Sequence, residues 1–410
     1  MARIAFLVDI EQGHILSTFS LARKLKACGH KVFFLGVADV EEMIRKQGME
    51  FRALLQDLMP VGSVAKLRAE YLKDQQSHEK IFFYIKPLLE GTMLDGAFQE
   101  LRPDVVVIGS FFEAIAIRYK YNVPVVMWNP TIRKQPRAEA CQSVIQVLIE
   151  VPGACDLIGV LESAGVRVRN FADVANLVLT MPELAFIPKA FELPDRVEDE
   201  NVFYIGPEID LERAEVQFEW NQLAPDLPLI YCSLGSQLDI RQEVSRRFIQ
   251  TVIDAVAVRP EWQLVVSLGS RMEPDEFMPV PSHVCLSRWA PQLQMLSRAS
   301  VMITHAGAGA TKECIINGVP MLAVPMMRDQ FDCAERIVYH GLGLRADIER
   351  INASEVCSML ERLLADGSCR ARVNAMREEF RRVDAMNAGV ELIEKIAAGR
   401  LPGKYFVARK

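Results

Sequence analysis

Short runs of consecutive apolar residues alternate, along the first half of the chain, with stretches in which apolar positions recur every three or four residues. Such runs are typical of parallel strands that are covered on both faces. They lie at Ile4–Val8, Val32–Leu35, Val105–Ile108 and Val123–Met127. The stretches Ile15–Cys28 and Val40–Gln47 have helical periodicity, and each precedes a glycine that can end a helix.

The second half repeats the alternation, and a proline-containing, weakly patterned stretch, Gly206–Asp226, separates the two halves. Its apolar runs are Leu229–Cys232, Gln263–Ser267, Val284–Leu286, Val301–Thr304 and Met321–Val324. Two such arrays predict an α/β protein of two Rossmann-like, doubly wound domains with a cleft between them. We expect an N-terminal domain at 1–212, a C-terminal domain at 213–387, and a last helix within 388–410 that packs back towards the N-terminal domain.

Composition excludes several classes of protein. The chain has 410 residues, half of them hydrophobic and 24% charged, and a net charge of −6, which argues against nucleic acid as the main partner. Its nine cysteines form no C-x-x-C pair, which indicates reduced thiols and a cytoplasmic protein. No apolar run approaches the roughly 18 residues of a membrane span.

Polar and small residues follow four strands of the second half, where ligands of open α/β sheets bind. In "ITHAGAGATKE", Gly307 and Gly309 remove side chains where a helix begins, and free helix amides favour an anion. A tight turn whose glycines serve only packing is the alternative. Trp289 can stack on a base or belong to the core, and Asp329–Gln330 can bind vicinal hydroxyls or form a surface loop. Together these loops predict a sugar-nucleotide site.

The order and spacing of these residues resemble the nucleotide-sugar motif of family 1 glycosyltransferases with the GT-B fold, of the bacterial natural-product type. The matching positions are Trp289, Ala290, Pro291, Gln292, Thr304, His305, Gly307, Gly309, Glu313, Gly318, Val319, Pro320, Pro325, Asp329 and Gln330. The resemblance extends to "QGHILSTFSLARKLKACGHKV", "NVFYIGP" and "IYCSLGS". It implies an enzyme that moves a hexose from a UDP- or dTDP-sugar, with inversion, to a small lipophilic acceptor.

The resemblance also implies a role for each donor-site position. Trp289 and the Ala290 backbone would bind the base, and Gln292 and Glu313 the ribose. The diphosphate would be bound by Ser236, His305, Gly307 and the amides of Gly309 and Ala310. Asp329 and Gln330 would bind the donor sugar, with Gln330 favouring UDP-glucose over UDP-galactose. No metal or other cofactor is implied.

One departure from the family pattern lies in the diphosphate loop. Many bacterial members carry Thr or Ser where this chain has Ala310. The neighbouring Thr311 should point elsewhere on the helix. We therefore expect the diphosphate to rest on backbone amides and His305.

Two Gly-His pairs occur in the first half. His30 precedes the second strand, at the wrong end of the sheet for a ligand, and is interpreted as structural. His14 follows the first strand and opens a helix, whose N-terminus should keep the imidazole neutral near pH 7. The resemblance implies that His14 is the general base.

The carboxylate that orients this base is left open by the sequence. Family members usually carry an Asp directly after the strand equivalent to Val105–Ile108, but this chain has Gly109 there. Ser110 follows, and Glu113 lies about one helical turn further on; Asp9 and Glu11 flank the histidine loop and are further candidates. A histidine without a carboxylate partner from the loop after Ile108 is also open.

Acceptor binding should fall to the N-terminal domain, where Phe82, Phe83 and Trp128 offer surface for an aromatic, polyketide or lipid acceptor. The alternative is that Phe82, Phe83 and Tyr84 are plain core. Two other functions also stay open: a non-catalytic nucleotide-sugar-binding protein, suggested by Gly109 and Ala310, and another GT-B enzyme such as a sugar-nucleotide epimerase. The chain could be a monomer or a homodimer.

Overall fold

The computed structural model of the chain contains two parallel β-sheets, each flanked by helices. It describes residues 1–67, 94–109, 111–129, 132, 137–139, 141, 156–163, 165–235 and 241–400. The expected α/β architecture of two doubly wound domains is confirmed.

The first sheet contains seven strands in the order β3-β2-β1-β4-β5-β6-β7, and all its pairs are parallel. The strands are β1 (Arg3–Leu7), β2 (Lys31–Gly36), β3 (Glu50–Ala53), β4 (Val105–Ile108), β5 (Val125–Asn129), β6 (Glu183–Ala185) and β7 (Val202–Tyr204). The strand order reverses between β1 and β4, and the crevice at such a switch point is where open α/β sheets bind ligands.

The second sheet has six parallel strands in the order β10-β9-β8-β11-β12-β13. The strands are β8 (Leu229–Ser233), β9 (Gln263–Ser267), β10 (Val284–Ser287), β11 (Ala299–Thr304), β12 (Met321–Ala323) and β13 (Gly343–Arg345). Its switch point lies between β8 and β11, so the loops after these two strands face the same crevice.

Helices cover both sheets. They are α1 (Gln12–Leu16), α2 (Phe19–Ala27), α3 (Glu41–Lys46), α4 (Asp95–Leu101), α5 (Phe111–Ile115), α6 (Asp156–Ser163), α7 (Phe171–Leu179), α8 (Gln242–Ala257), α9 (Gln292–Leu296), α10 (Ala308–Asn317), α11 (Gln330–Tyr339), α12 (Ala353–Ala365), α13 (Gly367–Asp384) and α14 (Ala388–Ala397). A π-helical turn, Ala116–Lys120, continues α5, and 3-10 turns lie at Ala38–Val40, Lys189–Phe191, Trp220–Gln222 and Pro274–Phe277.

The stretch Ile15–Cys28, which the sequence predicts as one helix, is divided between α1 and α2. The hydroxyl of Ser17 donates to the His14 carbonyl and that of Thr18 donates to the Ile15 carbonyl. Side-chain bonds of this kind compete with the helical ladder. The break leaves His14 on a short helix of its own.

The last helix, α14, lies against the first sheet. Val390, Leu392, Ile393 and Ile396 are buried in the same core as Ile4 and other N-terminal residues. Lys24 on α2 pairs with Glu208 before the second sheet and with Asp384 at the end of α13. These contacts join the two halves of the chain behind the cleft.

His30 lies at the far end of the first sheet, as expected. Its Nδ1 accepts from the Ala2 backbone N–H, and its Nε2 is 2.9 Å from Glu394 Oε1 on α14. None of the helices in the described ranges is long and apolar enough to cross a membrane. The eight cysteines that the structure describes are free thiols.

Candidate active site

The loops at the carboxyl ends of both sheets line one cleft of about 870 Å³. The first sheet contributes the loop that follows β1, with His14. The second sheet contributes the loops that follow β8, β10, β11 and β12. Candidate site residues predicted in both halves of the chain therefore line the same cleft.

His14 is paired with a carboxylate from its own loop. Its Nδ1 lies 2.6 Å from Oδ2 of Asp9, and the other oxygen of that carboxylate, Oδ1, accepts from the Glu11 backbone N–H at 2.9 Å. The His14 side chain is 28% exposed and that of Asp9 is 40% exposed. The sequence leaves Asp9, Glu11 and Glu113 as candidate carboxylate partners of His14. In the structure, Asp9 contacts the ring.

The pKa of His14 is raised, which is opposite to the direction expected from the helix N-terminus. Burial alone would lower the pKa of His14, but the hydrogen bond and charge of Asp9, with the charges of Glu11 and Asp329, raise it above its ordinary value. A helix of five residues offers only a weak opposing dipole. The imidazolium is therefore stabilised, which suits a ring that must accept a proton.

Trp128 is a core residue beside His14, so the prediction that it offers surface to an acceptor is wrong. Its side chain is 2% exposed because it stacks on Phe186, with ring centroids 5.8 Å apart. Its edge meets the His14 ring at a centroid distance of 6.3 Å. The buried indole therefore packs against the His14 ring on the side that faces the core.

The other N-terminal candidates are placed differently. Glu113 is half-buried on α5, after β4, while the carboxylate bonded to His14 comes from the β1 loop. Ser110, Phe82 and Phe83 lie outside the described residues, as does Ser236 of the donor loop.

His305 follows β11 and is enclosed by two glycines. A Cβ built on Gly235 would lie 2.5 Å from His305 Cε1, and one built on Gly307 would lie 2.5 Å from His305 Nε2. Burial lowers the pKa of His305 to about 4, although a backbone hydrogen bond with Ser233 raises it. The ring is therefore neutral near pH 7 and offers a hydrogen bond but no charge. Its Nδ1 is shielded from water and has no hydrogen-bond partner among the described residues.

The amides at the start of α10 open into the cleft beside His305. Gly307 is the N-cap in an extended conformation, and the first helical hydrogen bond in the loop runs from the Thr311 N–H to the Gly307 carbonyl. The N–H groups of Ala308, Gly309 and Ala310 precede that bond, as the first amides of the helix, and can bind an anion. Thr311 is fully buried, as expected, so its hydroxyl does not replace the one that Ala310 lacks.

Glu313 lies one turn further along α10 and is already paired. Its carboxylate accepts from both terminal nitrogens of Arg213, at 3.1 Å for the Nη2–Oε2 pair, and from Gln292 Nε2 at 2.6 Å. Arg213 belongs to the segment between the two sheets, where the sequence pattern predicts no functional residue. A charged residue in a weakly patterned linker gives no signal that could have identified it.

Glu215, two residues beyond Arg213, accepts from the backbone N–H groups of Leu293 and Gln294 at the start of α9. The linker therefore fixes both the Glu313 carboxylate and the helix that follows the Trp289 loop. Trp289 itself is 44% exposed and lines the cleft with Ala290. Its indole is open to a stacking ligand rather than buried in the core.

Asp329 and Gln330 follow β12 and line the cleft opposite His14. Burial raises the pKa of Asp329, while the charge of His14 lowers it. The side-chain oxygen of Gln330 accepts from the backbone N–H groups of Met326 and Met327, at 2.8 and 3.0 Å. The amide NH₂ of Gln330 therefore remains to donate a hydrogen bond to a sugar hydroxyl.

The described ranges contain no cluster of three His, Cys, Asp or Glu side chains that could bind a metal ion.

Comparison with known proteins shows what this chain is similar to. Residues 250–394 match the family model of the C-terminal domain of erythromycin biosynthesis protein CIII-like proteins. The chain is 25% identical, over 409 residues, to demethyllactenocin mycarosyltransferase of Streptomyces fradiae, covering 96% of this chain and 86% of that protein.

Two solved structures share the fold over nearly the whole chain. The glycotransferase of kitacinnamycin superposes with a TM-score of 0.78 and 26% identity, covering 97% of this chain and 99% of that one. The glycosyltransferase VinC, solved in complex with DTDP, superposes with a TM-score of 0.72 and 20% identity, covering 97% and 100%. The resemblance to natural-product glycosyltransferases with the GT-B fold is thereby confirmed.

Proposed function

We propose that this chain, which is similar to natural-product glycosyltransferases with the GT-B fold, transfers a hexose from a UDP- or dTDP-sugar to a hydroxyl of a small lipophilic acceptor, with inversion. The observation that carries this proposal is the meeting of two groups from different sheets. His14 and Asp329 line one cleft, and the charge of each affects the pKa of the other. A proton acceptor thus lies beside a group suited to bind sugar hydroxyls.

In the proposed reaction, His14 removes the proton of the acceptor hydroxyl as its oxygen attacks the anomeric carbon of the donor. The bond from that carbon to the diphosphate oxygen breaks, and the nucleoside diphosphate leaves with the electron pair. Attack from the face opposite the leaving group inverts the anomeric configuration. General-base assistance of this kind contributes about 10²–10⁴-fold to the rate.

The donor is proposed to lie along the second sheet. Trp289 would stack on the base, Glu313 and Gln292 would contact the ribose, and the amides at the start of α10 would bind the diphosphate. Asp329 would orient the sugar towards His14. Backbone amides that are already in position stabilise the developing charge without reorganisation.

The acceptor is proposed to enter from the side of the first sheet. Apolar side chains line that side of the cleft, among them Ile10, Leu16, Val40 and Met43. Ile10 is 40% exposed, so a lipophilic molecule would cover apolar surface that is otherwise in water. These residues support an acceptor with an apolar body rather than a second sugar nucleotide.

A donor and acceptor screen tests the proposal. UDP- and dTDP-hexoses should raise the thermal midpoint of the protein, and a donor that binds should give turnover with phenolic or polyketide acceptors. The product should carry the anomeric configuration opposite to that of the donor, as read from the proton coupling at the anomeric carbon. Retention would exclude the single displacement. Binding without turnover across a broad panel would favour a nucleotide-sugar-binding protein.

A further inference from the structure

We propose that Asp9 is the positioning residue of His14 and takes the place of the carboxylate that is missing after β4. This inference rests on the proposed function, in which His14 is the base. It assigns to the β1 loop a task that the family resemblance places on the β4 loop, where this chain has Gly109.

The Asp9 carboxylate is fixed at both oxygens. Oδ1 accepts from the Glu11 backbone N–H at 2.9 Å, and Oδ2 lies 2.6 Å from His14 Nδ1. A carboxylate anchored by the backbone can orient a ring more precisely than one free to rotate. Both partners belong to one loop, five positions apart, so their geometry depends on no other loop.

This contact selects the tautomer of the neutral ring. A carboxylate only accepts hydrogen bonds, so Nδ1 must carry the proton when it faces Oδ2 of Asp9. Nε2 then holds the lone pair that can accept a proton from a hydroxyl in the cleft. The same carboxylate stabilises the imidazolium that forms, which is how a buried acid supports a catalytic histidine in other enzymes.

A side chain at position 109, directly after β4, would be crowded in this chain. A Cβ built on Gly109 would lie 3.1, 3.2 and 3.4 Å from Cε2, Cζ2 and Nε1 of Trp128. The Trp128 ring is held by its stacking on Phe186 and cannot move aside without disturbing the core. The Trp128 Nε1–H is buried and has no hydrogen-bond partner among the described residues.

Two other carboxylates face His14 and must be separated from Asp9. Glu11 lies on the same loop, and Asp329 lies across the cleft on the second sheet; both act on His14 through their charge. Asp9 alone combines its charge with a side-chain hydrogen bond to the ring. Substituting Asp9 and Glu11 in parallel therefore separates a positioned contact from a general electrostatic effect.

The experiment compares Asp9→Asn with Glu11→Gln in the full chain. In Asp9→Asn the amide can keep the bond to the Glu11 N–H but presents an NH₂ group to His14, which favours the wrong tautomer. We expect kcat to fall at least 100-fold, within the range of a positioned proton acceptor, while UDP affinity stays close to wild type. Glu11→Gln should cost about fivefold or less, the upper range for a partly exposed charge.

A second readout follows the proton itself. NMR titration of His14 should show a lower pKa in Asp9→Asn than in wild type, and a smaller decrease in Glu11→Gln. The acid limb of kcat/KM should move to lower pH by the same amount, because a ring of lower pKa stays neutral down to lower pH. A loss of activity through misfolding alone would not move this limb.

The results separate the inference from the function on which it rests. An inactive wild type, or an active His14→Ala, would overturn the proposed function. An active wild type with an Asp9→Asn variant of equal kcat, or with an unmoved His14 titration, would overturn only the role of Asp9. Restored turnover in Asp9→Asn/Gly109→Asp would support that role, because a carboxylate after β4 would then replace the one that Asp9 supplies.

Discussion

Each sheet of this protein places a histidine in the loop after a switch-point strand, yet the two rings differ in charge behaviour. His14, after β1, is partly exposed and faces carboxylates, so its pKa is raised. His305, after β11, is enclosed by Gly235 and Gly307, and burial lowers its pKa to about 4. The same side chain is thus suited to gain a proton in one half and to remain neutral in the other.

The comparison shows that surroundings, and not residue type or strand position, decide what each loop can do. A proton acceptor gains from a partner that stabilises its charged form. A ligand of a diphosphate next to free helix amides needs only a fixed hydrogen bond, because the amides and helix dipole already favour negative charge. The predictions below test this division, beginning with the largest effect.

Removing the first histidine should stop the chemistry without affecting donor binding. For His14→Ala we expect kcat to fall at least 100-fold, since the proton acceptor is lost. UDP affinity, measured by calorimetry, should stay close to wild type because the nucleotide loops belong to the second sheet. His30→Gln is the matched control from the other Gly-His pair and should keep its turnover. A large loss of UDP affinity in His14→Ala would contradict the division.

His305 should make the stability of the folded protein depend on pH. The pKa of His305 is about 6.5 in the unfolded chain and about 4 in the folded protein. Between these pH values the unfolded chain binds the proton and the folded protein does not, so folding stability falls as pH decreases. Wild type should lose about 2–3 kcal/mol more than His305→Gln between pH 7 and 4.5, as urea midpoints would measure.

His14 gives the opposite sign and serves as the control. Its pKa is raised in the folded state, so its contribution is fully present below the unfolded pKa and is lost as pH rises through the folded pKa. In His14→Gln the stability relative to wild type should therefore decrease on acidification. Equal pH profiles for the two variants would show that the rings do not differ as described.

The enclosure of His305 can be tested at two glycines of one loop. A Cβ on Gly307 would meet the imidazole, whereas one on Gly309 would meet nothing within 4 Å. We expect Gly307→Ala to lower the free energy of unfolding by about 1–3 kcal/mol through overpacking. Gly309→Ala should leave it unchanged or slightly higher, because alanine favours a helix. Equal losses would indicate that the ring moves aside at little cost.

The two halves also differ in how much of the site the sequence predicts. The donor loops share a long motif whose function depends on backbone amides and on residues fixed by their place after each strand, so Trp289, His305 and Asp329 can be located in advance. The partner of His14 depends on which side chain packs beside Gly109. Only the structure shows that Trp128 fills that space and that Asp9 contacts the ring.

Strands are likewise predicted where their own sequence determines their structure, and missed where neighbouring strands determine it. Central strands such as β1 and β11 are long apolar runs and are predicted closely. The strands β3, β6, β7 and β13 are missed, because they are short, lie towards the sheet edges and carry exposed or polar positions. Their pairing comes from neighbouring strands rather than from their own pattern. Arg213 is missed for a related reason, since its role comes from a contact with Glu313 a hundred positions away.

The smallest expected effect is on donor binding, through Trp289, and involves neither histidine. Trp289 is 44% exposed in the cleft and is far from the core, so Trp289→Ala should leave the thermal midpoint nearly unchanged. If its indole stacks on the base, UDP binding should weaken by about 1–3 kcal/mol, a range that base–aromatic stacking gives in other proteins. Trp289→Phe should recover part of this loss, since a smaller ring still stacks.

Binding of inorganic diphosphate, which has no base, should be the same in all three proteins. Calorimetry that finds UDP affinity unchanged in Trp289→Ala would remove the ring from the site and leave the second sheet with a diphosphate loop but no base-binding surface.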